Sequence, residues 1–161
     1  ILMAIPSIIL SISICAALGS GIVNTMIAVG ISSIPTYARV FRSAVISEKS
    51  KEYIEASKAV GAGNARIILR HILPNSLAPV IVQASLGVAQ AITTAASLSF
   101  IGLGIQPPNP EWGALLSGGR QYIRDYPHMV VYPGIAIMLT VLALNLIGDG
   151  LRDALDPRLK R

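Results

Sequence analysis

The stretch Glu52–Asn75, EYIEASKAVGAGNARIILRHILPN, decides how the rest of the chain is read. It crowds charges, two glycines and a proline between runs that carry no charge at all. No Asp, Glu, Lys or Arg occurs from Ile1 to Ala38, from Ile72 to Pro110 or from Pro127 to Gly148. Of the 161 residues, 53% are hydrophobic and only 13% charged, against about 25% charged in an ordinary soluble domain. A bilayer core of about 30 Å takes roughly 20 apolar residues as a helix, and each charge-free block is at least that long. A soluble helical protein of this size has too little polar surface to cover three such blocks. The quoted stretch is therefore an excursion between membrane crossings.

Gly19-Ser20-Gly21 is a turn signal that divides the first block. Crossings are then expected at about Ile1–Leu18, Ile22–Val45, Ser76–Ile101 and Met129–Ile147, the last ended by Gly148-Asp149-Gly150. Pro6 and Pro35 fall inside the first two, where membrane helices tolerate proline. The fold class is all-α: a polytopic helical membrane bundle of about four transmembrane helices, forming one domain over 1–161. The chain opens on Ile1 within an apolar run without a basic leader or cleavage pattern, as expected of a piece of a longer protein. Cys15, the sole cysteine, excludes an internal disulfide and reads as small apolar filler.

Basic residues set the orientation, because cytoplasmic loops carry the Lys/Arg excess. Seven lie from the end of the second crossing to the start of the third (Arg39, Arg42, Lys49, Lys51, Lys58, Arg66, Arg70) and four in the tail (Arg152, Arg158, Lys160, Arg161). Only Arg120 and Arg124 lie between the third and fourth crossings. Segment 47–74 and the C-terminus are thus expected in the cytoplasm, and 102–127 outside. The net charge of +5 is topology, and without a basic patch interleaved with aromatics no nucleic-acid partner is expected. In the outer segment Trp112, Leu115, Leu116, Gly119, Tyr122, Ile123 and Tyr126 recur near helical spacing, which predicts a short helix lying on the bilayer, or else lining the mouth of a path. The tail DGLRDALDPRLKR predicts a short helix stopped at Asp156-Pro157.

The third crossing is rich in Ala, Ser, Thr and Gly. Such residues permit close helix packing, and that reading leads. The alternative is that Gln83, Gln90, Thr94 and Ser97, spaced as helical turns, face a wet translocation path. No charge there supports proton or sodium coupling. That weighs against the rival reading of a secondary transporter or channel not driven by ATP. An intramembrane enzyme would need a nucleophile with a nearby base, and His71 and His128 sit at opposite boundaries. No catalytic site and no metal site is expected.

Within the quoted stretch, Ser50–Val60 predicts a helix ended by Gly61, with Tyr53, Ala56, Ser57 and Val60 on one face. Asn64 is expected to cap a second helix that stops near Leu73 because of Pro74. Two such helices either meet a partner or lie on lipid headgroups.

Glu55-Ala56-Ser57, then Gly61, then Leu73-Pro74 resembles the EAA loop of bacterial ABC importer permeases: Glu-Ala-Ala, three residues, Gly, nine residues, Ile, one residue, Leu-Pro. Ser57 and His71 depart from that pattern within an unchanged frame. SLSFIGLGIQPPNPEWGALLSGGRQYI and NLIGDGLRDALDPRLK resemble the dipeptide, oligopeptide and nickel branch of that family. The resemblance implies the type I importer fold, of which these would be the last four of about six helices, in a bacterial inner membrane. It implies cytoplasmic ATPase subunits that bind ATP and Mg, a second permease subunit, an extracytoplasmic solute-binding protein and contact with membrane lipid. It also implies that 47–74 docks on the ATPase through Glu55, Ala56 and Gly61. The helical face adds Tyr53, Ser57 and Val60 as docking residues, and Ala62 follows the hinge. No P-loop run occurs in this chain, so no cofactor is expected on it.

Overall fold

The computed structural model describes residues 4–155. Every regular element among them is helical. Helix α1 is Ser7–Leu18, α2 is Ile22–Lys49, α3 is Glu52–Ala59 and α4 is Asn64–Ile67. A π-helical turn, Ile68–Ile72, leads into α5, Leu73–Phe100; α6 is Trp112–Gly119 and α7 is His128–Leu155. Helix α5 stands at the centre with α2 against one side and α7 against another, while α1 packs on α2 and α6 lies against both α5 and α7.

Four helices stand where four crossings are expected. Among the described residues, two segments qualify as membrane spans by length and composition alone: the continuous Asn64–Phe100 and His128–Leu155. Helix α2 has 28 residues, length enough, but Asn24, Ser32, Ser33, Thr36 and Tyr37 dilute its apolar character. Helix α1 has 12, about 18 Å at 1.5 Å per residue, short of a bilayer. Pro6 precedes this helix at its N-cap position instead of lying inside it. Gly19 (φ 87°) and Gly21 (φ 140°) make the α1–α2 turn with backbone only glycine adopts freely.

Three expected boundaries move. Asn64 is the first helical residue, not the cap, which is Gly63. Pro74 does not stop the helix entering α5. The Leu73 N–H reaches back to the Ile68 carbonyl, one residue further than in an α-helix, and this widened turn accommodates the proline ring that would strike the carbonyl four residues back. Helix α7 does not end at Gly148-Asp149-Gly150 but runs on to Leu155. Gly148 is buried there against Leu86 and Ser85 of α5, so its lack of a side chain serves packing instead of chain reversal. Asp156 and Pro157 lie outside the described residues.

The interior is small and polar. Ser11, Thr25, Ser32, Ser76 and Ser99 are buried together with Ala28, Ala89 and Ala96. Ser11 Oγ donates to Ser32 Oγ at 2.8 Å, joining α1 to α2. Apart from Leu98 and the Ile54, Ile67 and Ile72 cluster, the large apolar side chains mostly face outward, as along α7 at Met138, Leu139, Leu142, Leu146 and Ile147. Lipid rewards that arrangement: small residues bring helices together and bulky ones meet acyl chains.

Helix α6 shows the same logic. Glu111 caps it, its Oε2 accepting from the Ala114 N–H at 2.7 Å. Its buried residues are Gly113 and Gly119, against the Ala96 and Met129 carbonyls, while Trp112, Leu115, Tyr122, Ile123 and Tyr126 are exposed. A Cβ at Gly113 would sit 2.0 Å from the Ala96 oxygen. Gly113→Ala is expected to force α5 and α6 apart and destabilise the full-length protein by about 1–3 kcal/mol. Gly118→Ala, with nothing within 4 Å of its Cβ position, is neutral or better. Thermal unfolding in detergent checks the pair.

Candidate functional site: the 47–74 loop and the cleft beside α5

Helix α3 ends in a Schellman arrangement. The Gly61 N–H donates to the Lys58 carbonyl at 2.9 Å and the Ala62 N–H to the Ser57 carbonyl at 3.1 Å, with Gly61 at φ 83°. The helix buries one residue, Ile54, which packs with Ile67 and Ile72 and with the half-buried Val45 and Ala62. Apolar contact on that side leaves the Tyr53–Ala56–Val60 side outward. Val60 is 84% exposed, Tyr53 37%, and Ala56 is exposed as well. Ser57 is half-buried and its hydroxyl donates to the Tyr53 carbonyl at 2.8 Å.

A polar clamp fastens this helix from below. Glu48, in the last turn of α2 beyond its apolar span, is buried. Lys51 Nζ lies 2.6 Å from its Oε2, and the Tyr53 hydroxyl donates to its Oε1. Asn75, in the first turn of α5, donates through Nδ2 to the Tyr53 oxygen at 3.2 Å and to the His71 carbonyl at 2.7 Å. The Tyr53 and His71 rings meet edge to face at 6.0 Å. One tyrosine thus ties the end of α2, the start of α3 and the start of α5.

Burial pushes the Glu48 carboxyl up, but the hydrogen bonds from Lys51 and Tyr53 and the charge of Lys51 outweigh it and hold the group below its ordinary value. The hydrogen bond to Glu48 chiefly, then burial, raises the Tyr53 phenol.

Of the expected docking residues, Tyr53, Ala56 and Val60 share the exposed face, and Gly61 makes the turn. Ala62 points inward to the Ile54 cluster. Glu55 is exposed and makes no hydrogen bond or ion pair among the described residues. The carboxylate that fixes the loop is Glu48. Its sequence signal was an acid three residues before Lys51. Ile54 and Asn75 gave less: a single apolar residue between polar neighbours and a polar one after a proline.

In the bundle, Gln83, Gln90 and Thr94 of α5 line one narrow cleft of about 100 Å³ with Ser32, Ser33 and Thr36 of α2. Ser97 lies outside it, exposed, donating to the Thr93 carbonyl at 2.8 Å. The Thr94 hydroxyl likewise turns back on its own helix, to the Gln90 carbonyl at 2.9 Å.

Because the Glu48 value is lowered in the fold, its contribution is present above the ordinary carboxylate range of about 4.3 and is lost as pH falls through the folded value. Melting of the full-length protein is expected to drop on acidification below that range. Glu48→Gln is expected to be less stable at neutral pH and to show a flatter acid slope. An unchanged slope would mean Glu48 is not the group titrating.

Residues 1–161 match the family described as Binding-protein-dependent transport system inner membrane component. The dipeptide transport system permease protein DppC of Alkalihalophilus pseudofirmus is 56% identical over 160 residues, covering 99% of this chain and 53% of that protein. The di/tripeptide transport system permease protein DppC of Pseudomonas aeruginosa is 51% identical, with the same coverage. The glutathione transport system permease protein GsiD of Escherichia coli is 50% identical, again over 99% of this chain and 53% of that protein. The chain spans about half the length of these curated relatives.

Proposed function

Since the chain belongs to the family of binding-protein-dependent transport system inner membrane components, we propose that it is part of the permease subunit of an ATP-driven importer, working by alternating access. The solute is a peptide or similar small molecule, a reading supported by the dipeptide, di/tripeptide and glutathione transport named for its relatives. The subunit itself carries no catalysis. ATP and Mg belong to cytoplasmic ATPase subunits, and a second permease and an extracytoplasmic binding protein complete the importer. Segment 47–74 and the C-terminus are cytoplasmic.

One observation carries the coupling reading: α3 presents an open face while its underside is fastened to α2 and α5. A helix held in that way passes a push on its outer face into the crossings. Ala56 leaves room for an ATPase groove, Tyr53 and Val60 supply apolar contact, and Gly61 lets the chain turn away. Helix α5 runs from the clamp to the cleft of Gln83, Gln90 and Thr94. Tilting α5 against α2 would open or close these uncharged groups, which can pass a polar solute without trapping it.

In the full complex with Cys15→Ser, a cysteine at Val60 is expected to form a disulfide with one of a cysteine panel on the ATPase, in an ATP-dependent manner. Failure across the panel in an active complex would remove the docking reading. Gly61→Val places a β-branched residue at positive φ, a genuine outlier. It is expected to cut transport at least tenfold while the subunit still assembles; normal transport would refute the need for this tight turn.

A further inference from the structure

Beneath α3, away from its Tyr53–Val60 face, lies a pocket of about 620 Å³. Its wall is apolar: Phe41 and Val45 from α2, Ile54 from α3, and Ile67, Ile72 and Leu73 from the segment entering α5. Its only charged lining residues are Lys49 and Lys58. Both are exposed, and neither forms an ion pair among the described residues, whereas Lys51 beside them is paired with Glu48. The pocket lies at the end of α2 where charges first appear, Arg39 and Arg42 following 38 uncharged residues, a position that the orientation proposed above puts near the cytoplasmic headgroups.

We propose that this pocket is a binding site for an anionic phospholipid, with acyl chain against the apolar wall and headgroup phosphate between Lys49 and Lys58. Charge complementarity selects this occupant. An apolar peptide helix filling the wall would offer the two ammonium groups no anion, whereas a lipid brings a phosphate together with its acyl chains. Basic pockets between membrane helices on the cytoplasmic side take anionic headgroups for this reason. Lysine suits the task, because its stem lies along apolar surface while its ammonium reaches the polar layer. Ile54 and Lys58 stand one helical turn apart on α3, so the lipid would support the coupling helix from the membrane side. The site rests on the orientation proposed above and not on ATPase docking.

The test places a photoreactive benzoylphenylalanine at Ile68, which lines the pocket and is 51% exposed. The full complex is reconstituted in vesicles of phosphatidylethanolamine and phosphatidylglycerol, and the adducts are identified by mass. Each lysine near an anionic surface contributes enough that the phosphatidylglycerol-to-phosphatidylethanolamine ratio among the adducts is expected to exceed the bulk ratio on the order of tenfold. The double variant Lys49→Gln/Lys58→Gln returns it to the bulk ratio, and Lys49→Arg/Lys58→Arg keeps the enrichment. A bulk ratio in the unaltered protein, or enrichment that survives the glutamine pair, overturns the proposal. So does an adduct to peptide, from a preceding segment of the chain or from the ATPase. Because the Val60 disulfide is read separately, loss of lipid selectivity with the disulfide intact condemns the lipid site alone.

Discussion

A carboxylate buried at the end of α2 constrains everything around the loop. Glu48 needs partners there, since an unpaired buried charge is strongly destabilising. Lys51 supplies one and the Tyr53 hydroxyl the other. Taking that bond fixes the first turn of α3. The tyrosine oxygen then accepts from Asn75, whose other hydrogen bond satisfies the His71 carbonyl in the π turn. A single requirement, satisfying one charge, thus locates three helices relative to one another. The apolar Ile54, Ile67 and Ile72 close the contact beside it.

The clamp matters because the rest of the bundle is held by small forces. Few large side chains are buried, and the helices meet through serines, alanines and glycines such as Gly113 and Gly148. Contacts of that kind rely on close approach, and they allow helices to shift along one another more readily than interlocked bulky side chains do. A stiff joint at one end and a smooth interior above it are the properties an alternating-access reading asks of α2 and α5.

Much of this was legible in the sequence. Three charge-free blocks mark the long helices because the bilayer imposes length and polarity on each segment. Gly61 was readable as a helix end, since only a residue free at positive φ makes that turn well. Pro74 misled, because a proline's clash is local while its cure, the widened turn at Ile68–Ile72, depends on the neighbouring carbonyl's freedom to move. Gly148 misled similarly: glycine as breaker and glycine as close contact look alike until Leu86 is seen against it. Helical spacing found Tyr53, Ala56 and Val60 as a face but could not say which side was outward. The partners of Tyr53, Glu48 and Asn75, lie five residues before it and 22 after it, and no local pattern links them. Gln83, Gln90 and Thr94 follow helical spacing and fall in one cleft; Ser97, at the same spacing, lies beyond it.

The central claim is that α3 and α5 move as one body because the clamp joins them. Spin labels at Val60 and Val88, both exposed, with Cys15→Ser, would report the distance between the two helices in the full complex by pulsed electron resonance. The account predicts the same narrow distance distribution with and without ATP, while the distance from Val60 to a label on the second permease changes. A Val60–Val88 distance that shifts with nucleotide would contradict it, placing the hinge between the coupling helix and the crossing instead of at the bundle's outer contacts.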